Sequence, residues 1–117
     1  MSDEVQVSVR WDATTAIIDL AGDITNLAEK PINQVCRTAT EDGAVNIIFN
    51  FRQNDYINSA GIAILIGVVT EARKRNQTLM MTGLSSHFQK IFRMVGLTQY
   101  VELYPTVEEA LTAVNSD

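Results

Sequence analysis

A single cysteine, Cys36, and a single histidine, His87, leave the 117-residue chain without the means for an intramolecular disulfide or a zinc cluster. That usage fits a reducing compartment, and a cytoplasmic location is expected. Basic charge is scarce as well. Nine Lys and Arg against fourteen Asp and Glu leave a formal charge of −5, the wrong sign for affinity gained by neutralising phosphates, so direct nucleic-acid binding is not expected. Long apolar runs are missing too: the longest weakly polar stretch, Ala60 to Val69, falls well short of the roughly 20 residues that cross a bilayer. Glu71, Arg73, Lys74 and Arg75 follow it closely. The opening MSDEVQVSVRW is acidic where an export signal would be basic, and it alternates its apolar residues instead of running them together. Neither export nor membrane insertion is expected. No Gly-rich phosphate loop, dinucleotide fingerprint or His/Asp/Glu cluster with metal spacing is present, which disfavours an enzyme and a bound cofactor.

What is present is the composition of one globular domain, with 46% apolar and 20% charged residues. A chain of this size buries about two-thirds of its unfolded surface and folds without staples. No internal repeat or linker interrupts it, and only Met1 to Glu4 and Asn115 to Asp117 are expected to fray.

Val5, Val7, Val9 and Trp11 alternate with Gln6, Ser8 and Arg10, the period of a half-buried strand. The Asp12-Ala13-Thr14 turn and the β-branched Thr15 to Leu20 complete a hairpin. From there strands alternate with helical periods, which predicts a mainly parallel sheet with crossover helices. A first helix is placed over Lys30 to Thr40, with Pro31 in its first turn and Ile32, Val35, Cys36 and Ala39 as its apolar stripe. Val45 to Phe51 reads as a central strand. Asn58 or Ser59 caps a long helix reaching about Asn76, and Leu79 to Met81 is the next strand. Ser86 with Gln89 forms a possible capping box for a helix bearing Phe88, Ile91, Phe92 and Val95 and stopped by Gly96. Tyr100 to Tyr104 is the last strand, and Thr106 with Glu109 caps a closing helix with Val107, Ala110, Leu111 and Val114 on one face. The order is β-β-α-β-α-β-α-β-α, an α/β domain with five strands and four helices.

Most of this pattern describes a core. The exception is Asp55-Tyr56-Ile57-Asn58-Ser59-Ala60-Gly61-Ile62, where a strand feeds a polar loop and a serine stands at a helix start before two small residues. The first N–H groups of a helix lack internal partners and carry partial positive charge, so a phosphate on Ser59 would be tolerated by the fold. It would also add about −1.5 to −2 of charge to a surface made acidic by Asp23 and Asp55, if those loops meet, and so repel a docked partner.

The Ile57-Asn58-Ser59-Ala60-Gly61-Ile62 run, the preceding Asp55, the Gly22-Asp23-Ile24-Thr25 loop and the element order resemble the STAS domain of bacterial anti-anti-sigma factors, over about Val5 to Val114. The resemblance implies a STAS fold, a mixed five-stranded sheet opening with a hairpin. By position it implies that Ser59 is the phosphorylated serine. It further implies a partner switch: the unphosphorylated protein binds an anti-sigma factor serine kinase and frees a sigma factor, phosphorylation ends the binding, and a PP2C-type phosphatase restores it. Asp23, Thr25, Asp55, Asn58, Ser59, Ala60, Gly61 and Ile62 are the implied partner contacts. Two positions depart from the family. Asn58 stands where an Asp is usual, which removes a carboxylate but keeps a capping side chain, and Thr25 stands where many members are acidic.

Each feature also has a plainer account. Ser59 can serve only as a cap or first-turn residue. The apolar Ile62, Ile64, Leu65, Ile66, Val68 and Val69 can all be buried, or one edge can dock a partner with Thr70, Arg73 and Lys74 as its polar rim. His87 is expected on a helix surface rather than in a triad, Cys36 in the core, and Met80 and Met81 in a buried strand. Rival functions are a scaffolding STAS protein within a larger signalling assembly, and an anion- or nucleotide-binding STAS module. For the switch, a monomer or weak dimer is expected.

Overall fold

A computed structural model describes residues 5–52 and 56–116. The hairpin comprises β1 (Gln6–Asp12) and β2 (Thr15–Ala21), paired antiparallel from Gln6↔Ala21 to Asp12↔Thr15 and joined by two residues, of which Ala13 takes a positive φ of 53°. α1 (Glu29–Glu41) then leads to β3 (Asn46–Asn50), α2 (Ser59–Lys74) to β4 (Thr78–Thr82), and α3 (Ser86–Met94) to β5 (Glu102–Tyr104), before α4 (Val107–Asn115) closes the chain. β2 to β5 are mutually parallel, and the sheet order β1-β2-β3-β4-β5 follows the sequence. The expected α/β architecture and element order are therefore present, with two added 3-10 turns, Asn26–Ala28 and Leu97–Gln99.

Alternation along the strands divides the core between two faces. Ala16, Ile18, Leu20, Ile47, Phe49, Leu79 and Met81 point to one side, where Ile32 and Cys36 of α1, Leu65 and Val69 of α2, and Phe88 and Phe92 of α3 cover them. Ile17, Ile48 and Met80 point to the other, where Val107 and Ala110 of α4 cover them. Among the described residues the second face is closed by α4 alone, and its remainder carries a polar ladder. Arg10 grips Asp19 with two hydrogen bonds of 2.8 and 3.2 Å, Asn50 Nδ2 donates to Asp19 Oδ1 at 2.7 Å, and Thr82 Oγ1 donates to Asn50 Oδ1 at 2.8 Å. The chain of bonds satisfies the fully buried Thr82 and crosses four strands.

Several boundaries move. α1 gains a residue at each end, and Pro31 remains in the first turn, where no helical N–H is lost. The cap of α3 is Ser85, whose hydroxyl accepts from Phe88 N at 3.2 Å, rather than Ser86; Gln89 reaches back to the Leu84 carbonyl. Gly96 does end α3, with φ of 85°, but the 3-10 turn after it shortens the last strand to Glu102–Tyr104. Asn115, expected to fray, is helical. Thr106 caps α4 as expected, accepting from Glu109 N at 3.1 Å. β1 is not half buried along its length: Val7 is, but Val9 and Trp11 are exposed, and among the described residues β1 is an edge strand paired with β2 alone. The expected fraying of Met1 to Glu4 and Asp117 concerns residues outside those described.

Candidate functional site

The C-terminal ends of β2 and β3 deliver two loops to one place. In the first, Ile24 makes a parallel bridge with Ile57 of the second. Ile24 N donates to the Tyr56 carbonyl at 2.8 Å, and Asn58 N donates to the Ile24 carbonyl at 3.1 Å. Asp23 adds a side-chain tie, its Oδ1 accepting from Tyr56 N at 3.0 Å. The Gly22 to Thr25 loop and the Asn58 to Ile62 segment, separated by more than thirty residues, are thus stitched together by main chain. Of the positions singled out in the sequence, Asp23, Asn58, Ser59, Ala60, Gly61 and Ile62 belong to this cluster; Asp55 lies outside the described residues.

Asn58 is the helix cap. Its backbone is extended, its Oδ1 accepts from Gly61 N at 2.8 Å, and its carbonyl accepts the first helical bond from Ile62 N at 2.9 Å. The amide thereby supplies the side-chain acceptor that the helix start needs. Ser59 is freed from that duty: it is the first helical residue and is exposed. Gly61 N is occupied by the cap, which leaves the N–H groups of Ser59 and Ala60 as the donors that no helical carbonyl can reach. Gly61 is required by the close approach. A Cβ built there would stand 2.2 Å from the Ile24 carbonyl oxygen, a contact that only backbone movement could relieve. Thr25 does not join the Ser59 turn; its hydroxyl accepts from Leu27 N at 3.2 Å and caps the 3-10 turn that leads into α1.

From Ser59 the outer side of α2 runs through Ala63, Ile66, Gly67 and Thr70, all exposed, while Leu65, Val68, Val69 and Ala72 are buried. Burial and an exposed edge therefore coexist on this helix. An open groove of about 560 Å³ between α1 and α2 is lined by Asn26, Glu29 and Asn33 on one bank and Ala60, Ile64 and Gly67 on the other. Leu27 and Tyr56, both exposed, border the same end of the molecule, and Tyr56 stands edge-on to Phe88 with ring centroids 6.0 Å apart. Tyr56 lies inside the singled-out Asp55 to Ile62 run, whereas Leu27, a single apolar residue in a loop, has no periodicity to mark it. His87 packs edge-on against Phe88 at 5.0 Å and is exposed, as expected of a helix-surface residue. Among the described residues no group of His, Cys, Asp and Glu is arranged to hold a metal, and no helix is long and apolar enough to cross a membrane.

A family model described as the STAS domain matches residues 6–110. Among curated proteins the chain is similar to the anti-sigma-B factor antagonist of Listeria monocytogenes, 21% identical over 86 residues that span 74% of this chain and 75% of that one. Among solved structures it is similar to an anti-sigma factor antagonist from Mycobacterium paratuberculosis, with a TM-score of 0.82 at 19% identity over 99% of this chain and 98% of the other. It is also similar to the phosphorylated form of the Bacillus cell fate determinant SpoIIAA, with a TM-score of 0.70 at 22% identity over 96% and 100%. At such identities the structural likeness speaks for the fold alone. The family model, which takes in the hairpin, the parallel strands and the Ser59 turn, decides the matter: the chain belongs to the STAS domain family.

Proposed function

We propose that the protein is a cytoplasmic anti-sigma factor antagonist, a binding domain without catalysis of its own, controlled by phosphorylation of Ser59. Unphosphorylated, it binds an anti-sigma factor serine kinase through the Asp23 loop, the Asn58 to Ile62 turn and the exposed side of α2. Phosphorylated, it lets go, and a PP2C-type phosphatase resets it. The observation that carries this reading is the division of labour at the helix start: Asn58 caps, so the exposed Ser59 hydroxyl is spare. The names of the similar antagonists support the class of partner.

The physical basis is local charge. A phosphate on Ser59 would lie at the positive end of a 16-residue helix, beside the N–H groups of Ser59 and Ala60, so its cost to the fold is small. To a partner the same group is a new dianion at the mouth of the α1/α2 groove, which Glu29 and Glu71 already border. A surface that accepts the neutral hydroxyl would then face desolvation and like-charge repulsion. Thr25, engaged in its own cap, takes an indirect part by holding the 3-10 turn beside the groove.

The test pairs the protein with candidate GHKL-type serine kinases, with ATP present. Wild type should gain one phosphate by intact mass and Ser59→Ala none. In calorimetry Ser59→Ala should bind the kinase as wild type does, and Ser59→Asp at least tenfold more weakly. Phosphate on another residue, or equal binding by Ser59→Asp and wild type, would overturn the reading.

A further inference from the structure

The two edges of the sheet differ. β5 is three residues long and lies against α4, whereas β1 is seven residues long and, among the described residues, pairs with β2 only. An exposed edge presents a row of unpaired N–H and C=O groups, and monomeric proteins blunt it with lysine, proline, a bulge or brevity. β1, QVSVRWD, has none of these: its register with β2 is unbroken, and its one cation, Arg10, is held by Asp19. Val9 and Trp11, 42% and 41% exposed, project on the same face as the buried Val5.

We propose that β1 pairs antiparallel with β1 of a second copy about a two-fold axis at Val9, joining two five-stranded sheets into one. The register is chosen by the side chains. With Val9 opposite Val9 of the second copy, Val7 faces Trp11 twice, an aliphatic–aromatic pairing that covers the exposed indole. On the other face Ser8 meets Arg10 and Gln6 meets Asp12, so no like charges are opposed. Sliding the strands by two residues in one direction sets Arg10 against Arg10. Sliding them the other way sets Trp11 against Val5, already buried in its own subunit, and leaves Asp12 beyond the ladder. The two-fold keeps α1, α2 and α3 of both copies on one side of the joined sheet. It directs the two α2 N-termini toward opposite ends, so both Ser59 turns stay open to separate partners, and the pairing is independent of the phosphorylation switch.

Sedimentation from about 10 µM to about 1 mM covers the range in which an interface of this modest size is populated. Wild type should pass from the monomer to the dimer mass, and Val9→Lys, which opposes two ammonium groups, should stay monomeric with an unchanged circular dichroism spectrum. Residues opposed in an antiparallel pair have Cα atoms about 4.5 to 5.5 Å apart, within disulfide reach. Mild oxidation should therefore cross-link Val9→Cys and not Gln6→Cys, with wild type, whose Cys36 is buried, as the control. A monomer at every concentration, a dimer that survives Val9→Lys, or equal cross-linking at positions 6 and 9 would overturn the proposal.

Discussion

Two adjacent side chains at the start of α2 divide what a single serine often does alone. Asn58 satisfies Gly61 N, and Ser59 is left to the solvent. Removing the cap should therefore cost stability without touching the hydroxyl: Asn58→Ala should lose about 1 kcal/mol in urea unfolding. Asn58→Asp, which restores a carboxylate beside the positive helix end, should gain about 0.3 to 1 kcal/mol at low salt and lose that gain as salt is raised. The sequence left Asn58 and Ser59 as equal candidates for the cap, since both residue types cap well. At α3 the pattern points to the neighbouring serine: Ser86 has Gln89 three residues on, yet it is Ser85, extended in backbone, whose hydroxyl accepts from Phe88 N.

At the scale of whole elements, periodicity tells which side of a helix is apolar but not which side of the sheet receives it. α4 was legible from Val107, Ala110 and Leu111, yet nothing in that spacing places it alone on the second face. That arrangement leaves room for the Arg10–Asp19–Asn50–Thr82 ladder, whose residues looked like ordinary strand polar positions. Asp19 is held below the usual carboxylate range, first by the hydrogen bond from Arg10 and further by Asn50, against an opposing effect of burial. A carboxyl depressed in the folded state stabilises above its unfolded pKa, and the contribution fades as the pH falls through the folded one. The pair is partly exposed, so screening limits it to less than about 1 kcal/mol. Urea midpoints measured at pH 6 and again below pH 4 should fall less on acidification for Asp19→Asn than for wild type. β1 shows the converse problem: its alternation was plain, but Val9 and Trp11 are exposed on a strand that, among the described residues, has β2 as its one neighbour.

For the molecule as a whole, the composition and the alternation of strand and helix were enough to read one α/β domain, because each parallel crossover needs its helix and leaves its periodic trace. The meeting of the Asp23 loop with the Ser59 turn was not readable from spacing, since it depends on β2 and β3 being neighbours in register. Cys36 reports on the integrity of this assembly. It lies in the core between α1 and the sheet, and burial pushes its thiol up to about 11. At pH 8 only about one thiol in a thousand is then ionised. Its reaction with a disulfide reagent should be at least a hundredfold slower in the native protein than in urea, with a native rate that follows opening of the core.

The contact between Gly61 and the Ile24 carbonyl bears on how a signal could be stored here. With that carbonyl also accepting from Asn58 N, the opening turn of α2 is pinned on two sides and has little freedom to rearrange. A modification at Ser59 would then be written in electrostatics rather than in shape. Two chemically distinct populations would share one backbone, and the discrimination between them would fall to whatever surface comes to read it.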